Sequence, residues 1–166
     1  MRDDVRMATR LLHEMVYEAP AERVAAMLSD RAFREEVCEA QKAVSHDVSI
    51  DGDVASKQVR IEMVQPTEGV PSFAKKIVGD TTTIVQTESW SSPSHGDITV
   101  TIPGKPGDMR GTAVLVEEDG VTTETVDLEI KVKMPLVGGK LEELIAGLLK
   151  SALKAEQRVG VDYLAR

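Results

Sequence analysis

The chain has 166 residues, 42% of them hydrophobic, which suits a single domain with one sizeable core. Its 28 Asp and Glu outnumber 20 Lys and Arg, a formal net charge of −8. That balance argues against nucleic acid, which needs clustered cations, and against charge-driven attachment to an anionic membrane. No apolar run approaches the roughly 20 residues of a spanning helix, and Met1-Arg2-Asp3-Asp4 lacks the apolar stretch of a signal peptide.

Residues 1–7 carry little pattern and are expected to be disordered, leaving 8–166 as one domain. Thr9 to Tyr17 alternates, with Leu11, His13, Met15 and Tyr17 on one face, and is predicted to be a strand. Pro20 stops it and suits the first turn of a short helix over 20–28, with Val24, Met27 and Leu28 at helical spacing. Ser29-Asp30 is a capping signal for a second helix over 30–43, with Phe33, Val37 and Ala40 on one face.

From Val44 the period becomes two. Val48 and Ile50 precede a turn at Asp51-Gly52-Asp53, and Val59, Ile61 and Met63 alternate up to Pro66. Residues 67–79 are ambiguous; Phe73, Ile77 and Val78 would make a short helical lid. Thr82 to Trp90 and Ile98 to Ile102 read as strands, with Ser89 to Gly96 and Pro103 to Gly107 as loops. Thr112–Glu117 and Val121–Met134 form a hairpin around Glu118-Asp119-Gly120. In its second strand Val126, Leu128, Ile130, Val132 and Met134 alternate strictly with Asp127, Glu129, Lys131 and Lys133. Such a strand has one buried and one solvated face. Pro135 and Gly138-Gly139 end the sheet. A helix over 139–165 follows, about 40 Å long at 1.5 Å per residue. Its wide stripe includes Leu141, Leu144, Ile145, Leu148, Leu149, Ala152, Leu153, Val159 and Tyr163, with Lys140, Glu142 and Glu143 mostly opposite. The order predicts an α+β fold in which about six or seven antiparallel strands wrap a long C-terminal helix, with two short helices after strand 1. One helix cannot fill a curved sheet, so space for a ligand is expected between them.

Three stretches carry a family resemblance: Met15 to Val24, Leu28 to Phe33, and Pro135 to Leu144 running on to Gly160. They resemble the helix-grip fold of the START-like superfamily (SRPBCC), which includes polyketide cyclase/dehydrase-like domains and birch-pollen-allergen-like proteins. The last stretch is similar to an uncharacterised, mostly actinobacterial branch. The resemblance implies an apolar or amphipathic small molecule, lipid or polyketide-like, held between sheet and long helix. It leaves open a cyclase, dehydratase or hydrolase activity, because fold alone does not choose. Aromatic residues are only 3%, so a pocket would be lined mainly by aliphatics and Met.

The pocket candidates are His13, Met15, Tyr17, Met63, Leu128, Ile130, Met134, Leu144, Ile145, Leu148 and Leu149. His13 and Tyr17 would orient a polar group, or act as acid and base in the enzyme alternative. Otherwise His13 is a satisfied core histidine. The other histidines, His46 and His95, carry no expected role. No catalytic residue is assigned. Neither a metal nor a cofactor is expected, since no short-spaced ligand set exists. Cys38, the only thiol, reads as a structural residue and fits a reducing, cytoplasmic compartment. Glu62, Glu88, Asp127 and Glu129 read as solvated strand faces, and Trp90 as a packing residue beside a loop. The partner expected is a hydrophobic ligand, with no nucleic acid and no membrane insertion. The chain would be a monomer or weak homodimer, and a ligand-free interaction module is the remaining alternative.

Overall fold

The structure, a computed structural model, describes residues 7–166. Of the stretch 1–7 expected to be disordered, residues 1–6 lie outside the described residues, and Met7 is exposed. Strand β1 (Thr9–Tyr17) leads into α1 (Ala21–Leu28) and α2 (Arg31–Ala40). Pro20 caps α1 without needing an N–H. Asp30 caps α2, its carboxylate accepting from the Ala32 N–H at 2.9 Å. Helix α2 ends at Ala40, short of the expected Ala43, and Lys42 beyond it takes a left-handed φ of 61°.

The sheet continues through β2 (Ser45–Gly52), β3 (Lys57–Pro66), β4 (Thr81–Ser92), β5 (His95–Thr101), β6 (Asp108–Glu118) and β7 (Val121–Lys131). The expected lid is α3 (Ser72–Val78), between β3 and β4. Every neighbouring pair is antiparallel in the order β1-β7-β6-β5-β4-β3-β2, so the first strand closes against the last. The β2–β3 turn sits later than expected: Gly52 still belongs to β2, and Asp53 Oδ1 accepts from the N–H groups of Ala55 and Ser56. The stretch Ser89–Gly96, expected as a loop, is mostly hairpin, because β4 runs to Ser92 and β5 begins at His95. Gly96 is a packing residue there. It pairs with Trp90, and a Cβ would lie 2.5 Å from the indole ring. Strand β7 stops at Lys131 rather than Met134, and the Val132 N–H donates at 2.8 Å to the Glu142 carboxylate.

Helix α4 (Gly138–Leu164, 27 residues) crosses the inner face of the sheet and lies closest to β1. It is pinned at both ends. Near its start Glu142, expected on the outer side, is fully buried and also accepts from the Thr9 Oγ1 at 2.8 Å and the Thr9 N–H at 3.2 Å. Orphan backbone donors beside β1 and β7 are thereby satisfied, which is why a carboxylate faces inward. Near its end Gly160 lies against the Tyr17 ring, and the Tyr163 hydroxyl donates to Asp30 Oδ2 at 2.5 Å. The Tyr163 ring meets Phe33 edge-on, 5.5 Å between centroids. Two apolar clusters result. The larger one joins β1, α1, α2 and the sheet; the smaller one centres on Ala74, Val132 and Leu141 beneath α3.

Candidate functional site

Between α4 and the sheet lies a cavity of about 510 Å³. That volume falls within the range of small-molecule sites. Ile84, Val100, Met109 and Val126 form its sheet wall, and Leu141 to Leu149 its helix wall. Ala74 and Ile77 of α3, with the Lys105–Gly107 loop, close one end. The rim meets solvent at Lys42, Pro66, Glu68, Leu148 and Ser151. Among the described residues no aromatic side chain lines the cavity. The space has a physical origin. Helix α4 is anchored at its ends, while its middle presents small residues, Ala152 and Ala155 among them, to a sheet face whose described lining residues include no aromatic ring to fill the gap.

Among the predicted pocket residues, Met63, Leu128, Met134, Leu144, Ile145, Leu148 and Leu149 line this cavity. His13, Met15, Tyr17 and Ile130 do not. Helix α4 lies directly on β1, so the inward face of that strand is filled rather than open. Met15 and Tyr17 are fully buried, and the Tyr17 hydroxyl donates to Met15 Sδ at 3.7 Å. Burial drives the Tyr17 pKa upward. Ile130, opposite Thr9 in the β1–β7 ladder, is sealed in the same layer. His13 is half-buried with Nε2 unpartnered; burial, then Lys150 and Lys154, lower its pKa. Neither His13 nor Tyr17 reaches the cavity, so acid–base chemistry through them has no access to it.

The inner end of the cavity is polar, and most of its residues were not singled out by sequence reasoning. Arg34 of α2, Gln86 and Glu88 of β4, Glu124 of β7 and Glu156 of α4 all line it. Glu88, expected on a solvated face, is 4% exposed. Arg34 donates to both its oxygens, Nη1 at 2.9 Å and Nη2 at 2.8 Å, while Arg34 Nε donates to the Leu28 carbonyl at 2.9 Å. The Trp90 indole N–H and the Gln86 amide complete the carboxylate shell, at 2.8 and 2.5 Å. Burial pushes the Glu88 pKa up, but the Arg34 charge and these hydrogen bonds outweigh it and hold the group below the ordinary carboxylate value.

Glu124 and Glu156 have the opposite environment. Glu124 is 3% exposed, and its Oε1 is buried without a hydrogen-bond partner. Burial first, then Glu156, raise its pKa well above normal, against the pull of Arg34. Glu156 is half-buried; burial, with Glu88 adding to it against Arg34, pushes its pKa up to about 7. Both placements have a sequence signal. Read back from Val126, the period-two pattern of β7 puts Glu124 on the inner face. Glu156 lies four residues after Ala152 and seven after Leu149, within the apolar stripe of α4.

Behind the cluster, Lys57 Nζ lies 4.6 Å from the centroid of the Trp90 ring. Lys57 is buried, its Nζ has no hydrogen-bond partner, and burial and then Arg34 lower its pKa. Trp90 is buried as a packing residue. Cys38 is buried too, and burial lifts its thiol to about 11, far from a nucleophile's range. His46 is half-buried at the start of β2, and His95 is exposed beside Asp97. Among the described residues no group of three or more His, Cys, Asp or Glu could hold a metal ion. No helix there is long and apolar enough to cross a membrane.

The family described as "Protein of unknown function (DUF2505)" matches residues 12–164. An uncharacterised protein of Mycobacterium tuberculosis is 29% identical over 166 residues, covering 95% of this chain and 91% of its own. Among solved structures, a START superfamily protein from Mycobacterium smegmatis aligns with a TM-score of 0.59 at 17% identity, covering 91% of this chain and 97% of that one. An aromatase/cyclase from Streptomyces sp. R1128 aligns at 0.56 and 11% identity, covering 93% and 89%. At these identities the two structures establish the fold alone, and that fold is the START-like helix grip.

Proposed function

The chain belongs to the DUF2505 family, and from that premise and its START-like fold we propose that it binds an apolar or amphipathic small molecule, lipid or polyketide-like, between the sheet and α4. The observation that carries this reading is the cavity of about 510 Å³, apolar along its length and ending in a buried, charged cluster. Apolar burial at about 25 cal/mol per Å² supplies the affinity. Met63, Met109 and Met134 give the wall an adaptable surface. The polar end orients the ligand, because a group placed there meets carboxyls that water does not screen. The rival enzyme reading through His13 or Tyr17 finds no support in the geometry, since neither lines the cavity. The domain is taken to act in the cytoplasm as a monomer or weak homodimer, which light scattering on a size-exclusion column checks.

The test is native mass spectrometry of the purified protein, with extraction of whatever denaturation releases, beside a titration with ten-carbon amphiphiles followed by the fluorescence of Trp90. A retained or saturably bound small molecule is expected. A clean apoprotein mass together with no saturable response to any amphiphile refutes the reading.

A further inference from the structure

Among the described residues, the inner end of the cavity is one positive charge short. Arg34 and Lys57 face Glu88, Glu124 and Glu156 there, two cations against three carboxyls. Arg34 has its charge paired: its Nη atoms are both on Glu88 and its Nε is on the Leu28 carbonyl. Lys57 does not line the cavity and sits over Trp90. Tyr17 from β1 and Cys38 from α2, the other titratable groups nearby, are both held neutral by burial. The remaining cations of the lining, Lys42, Lys105 and Arg158, are exposed at the rim. Glu124 therefore lines the cavity 3% exposed, with a buried oxygen that no donor among the described residues reaches.

We propose that the ligand's polar end is a protonated amine seated between Glu124 and Glu156, with its hydrocarbon body in the apolar part of the cavity. This rests on the cavity being a binding site. An ammonium donates three hydrogen bonds, accepts none and supplies the missing charge. In the empty protein a proton takes that place, which matches the raised pKa values of both carboxyls. An anionic head group meets two carboxyls at close range, and the one cation lining that end, Arg34, already has its charge paired with Glu88. A neutral hydroxyl satisfies one oxygen but leaves the carboxyl proton where it is, so it gains no ion pair.

Decylamine, decanol and decanoate, each below its micelle concentration or solubility limit, share a chain and differ only at the head. Trp90, the single tryptophan, reports on the cluster because its indole N–H sits on Glu88. Decylamine is expected to bind at least about tenfold tighter than decanol at neutral pH, with decanoate weakest. Its affinity falls as pH drops below about 7, because the ammonium must displace a proton. Calorimetry of the wild-type protein near pH 6, in two buffers of different ionisation heat, then reads about one proton released per amine bound and none for decanol. In Glu156→Gln the amine-to-alcohol affinity ratio falls about tenfold. Decanol or decanoate binding as tightly as the amine, or amine binding without proton release, overturns the amine assignment and leaves the cavity reading standing. Absence of saturable binding by all three overturns the amine assignment, and with a clean apoprotein mass it overturns the cavity reading as well.

Discussion

Replacing Arg34 by methionine isolates what holds the inner end of the cavity together. The substitution removes the 2.9 Å bond from Nε to Leu28 and the 2.9 and 2.8 Å bonds to Glu88. Methionine is flexible enough to occupy most of the vacated volume, so the packing loss is small. What remains is the Glu88 carboxylate, 4% exposed, with only Trp90 and Gln86 donating to it. An uncompensated buried charge costs about 3–5 kcal/mol. Glu88 can escape part of that by protonating, which for a carboxyl of ordinary pKa costs about 3 kcal/mol at neutral pH. The cheaper route sets the loss, at about 3 kcal/mol. At a urea m-value of about 2 kcal/mol per M, the unfolding midpoint drops by about 1.5 M. The pH dependence has a definite sign. In the wild type the folded pKa of Glu88 is depressed, so its stabilisation is present above the unfolded carboxylate pKa and lost as pH falls through the folded one. The deficit of the variant therefore shrinks toward about pH 4, where Glu88 is protonated in the variant. Adding Glu88→Gln to Arg34→Met removes the orphan charge and restores most of the loss. Urea unfolding followed by far-ultraviolet circular dichroism measures all three proteins without relying on Trp90. A deficit below about 1 kcal/mol at neutral pH, or a double variant no more stable than the single one, refutes the reasoning.

Four further perturbations probe the rest of the molecule. The raised pKa of Glu156, about 7, makes its contribution full below the unfolded carboxylate pKa and lost as pH rises through 7. Thermal unfolding of Glu156→Gln is therefore expected to be flatter than wild type between about pH 5 and 8, by no more than about 3 kcal/mol; parallel curves contradict this. Gly160→Ala places a Cβ 2.7 Å from Tyr17 Cε1. The helix-propensity gain of about 1 kcal/mol is outweighed by an overpacking cost of about 1–3, so the melting temperature falls by about 2–4 °C; a rise contradicts the close contact. Glu142→Ala strips acceptors from Val132 and both donors of Thr9, costing about 3 kcal/mol, and hydrogen exchange quickens at those two amides first. Val126→Trp fills the cavity from β7 and is expected to weaken decanol binding about tenfold or more while the melting temperature holds or rises; unchanged binding moves the ligand elsewhere.

The order of elements was written in the amino-acid pattern. Strict alternation in Val126 to Met134, the Pro20 and Asp30 helix starts, and the long stripe from Leu141 to Tyr163 are local signals, and they specify a curved sheet with one helix laid across it. The apolar half of the cavity wall was legible for the same reason, since Met63, Leu128, Leu144 and Leu148 show their face by period alone. Glu124 and Glu156 were legible in principle, each standing at an inward position of a clear period. Glu88 was not, because both faces of β4 are polar, Gln86 and Glu88 on one and Thr83, Thr87 and Ser89 on the other. Period also could not say which part of the inner face the helix would cover. That was decided by pins far apart in sequence: Glu142 on Thr9 and Val132, Gly160 on Tyr17, and Tyr163 on Asp30. They press α4 onto β1, filling the face of His13, Met15 and Tyr17, and leave the space over β3 to β7. The pairing of Arg34 with Glu88, 54 positions away, is equally non-local. Alternation tells each residue which way it points; only the packed helix decides whether it points at a neighbour or at an empty cavity.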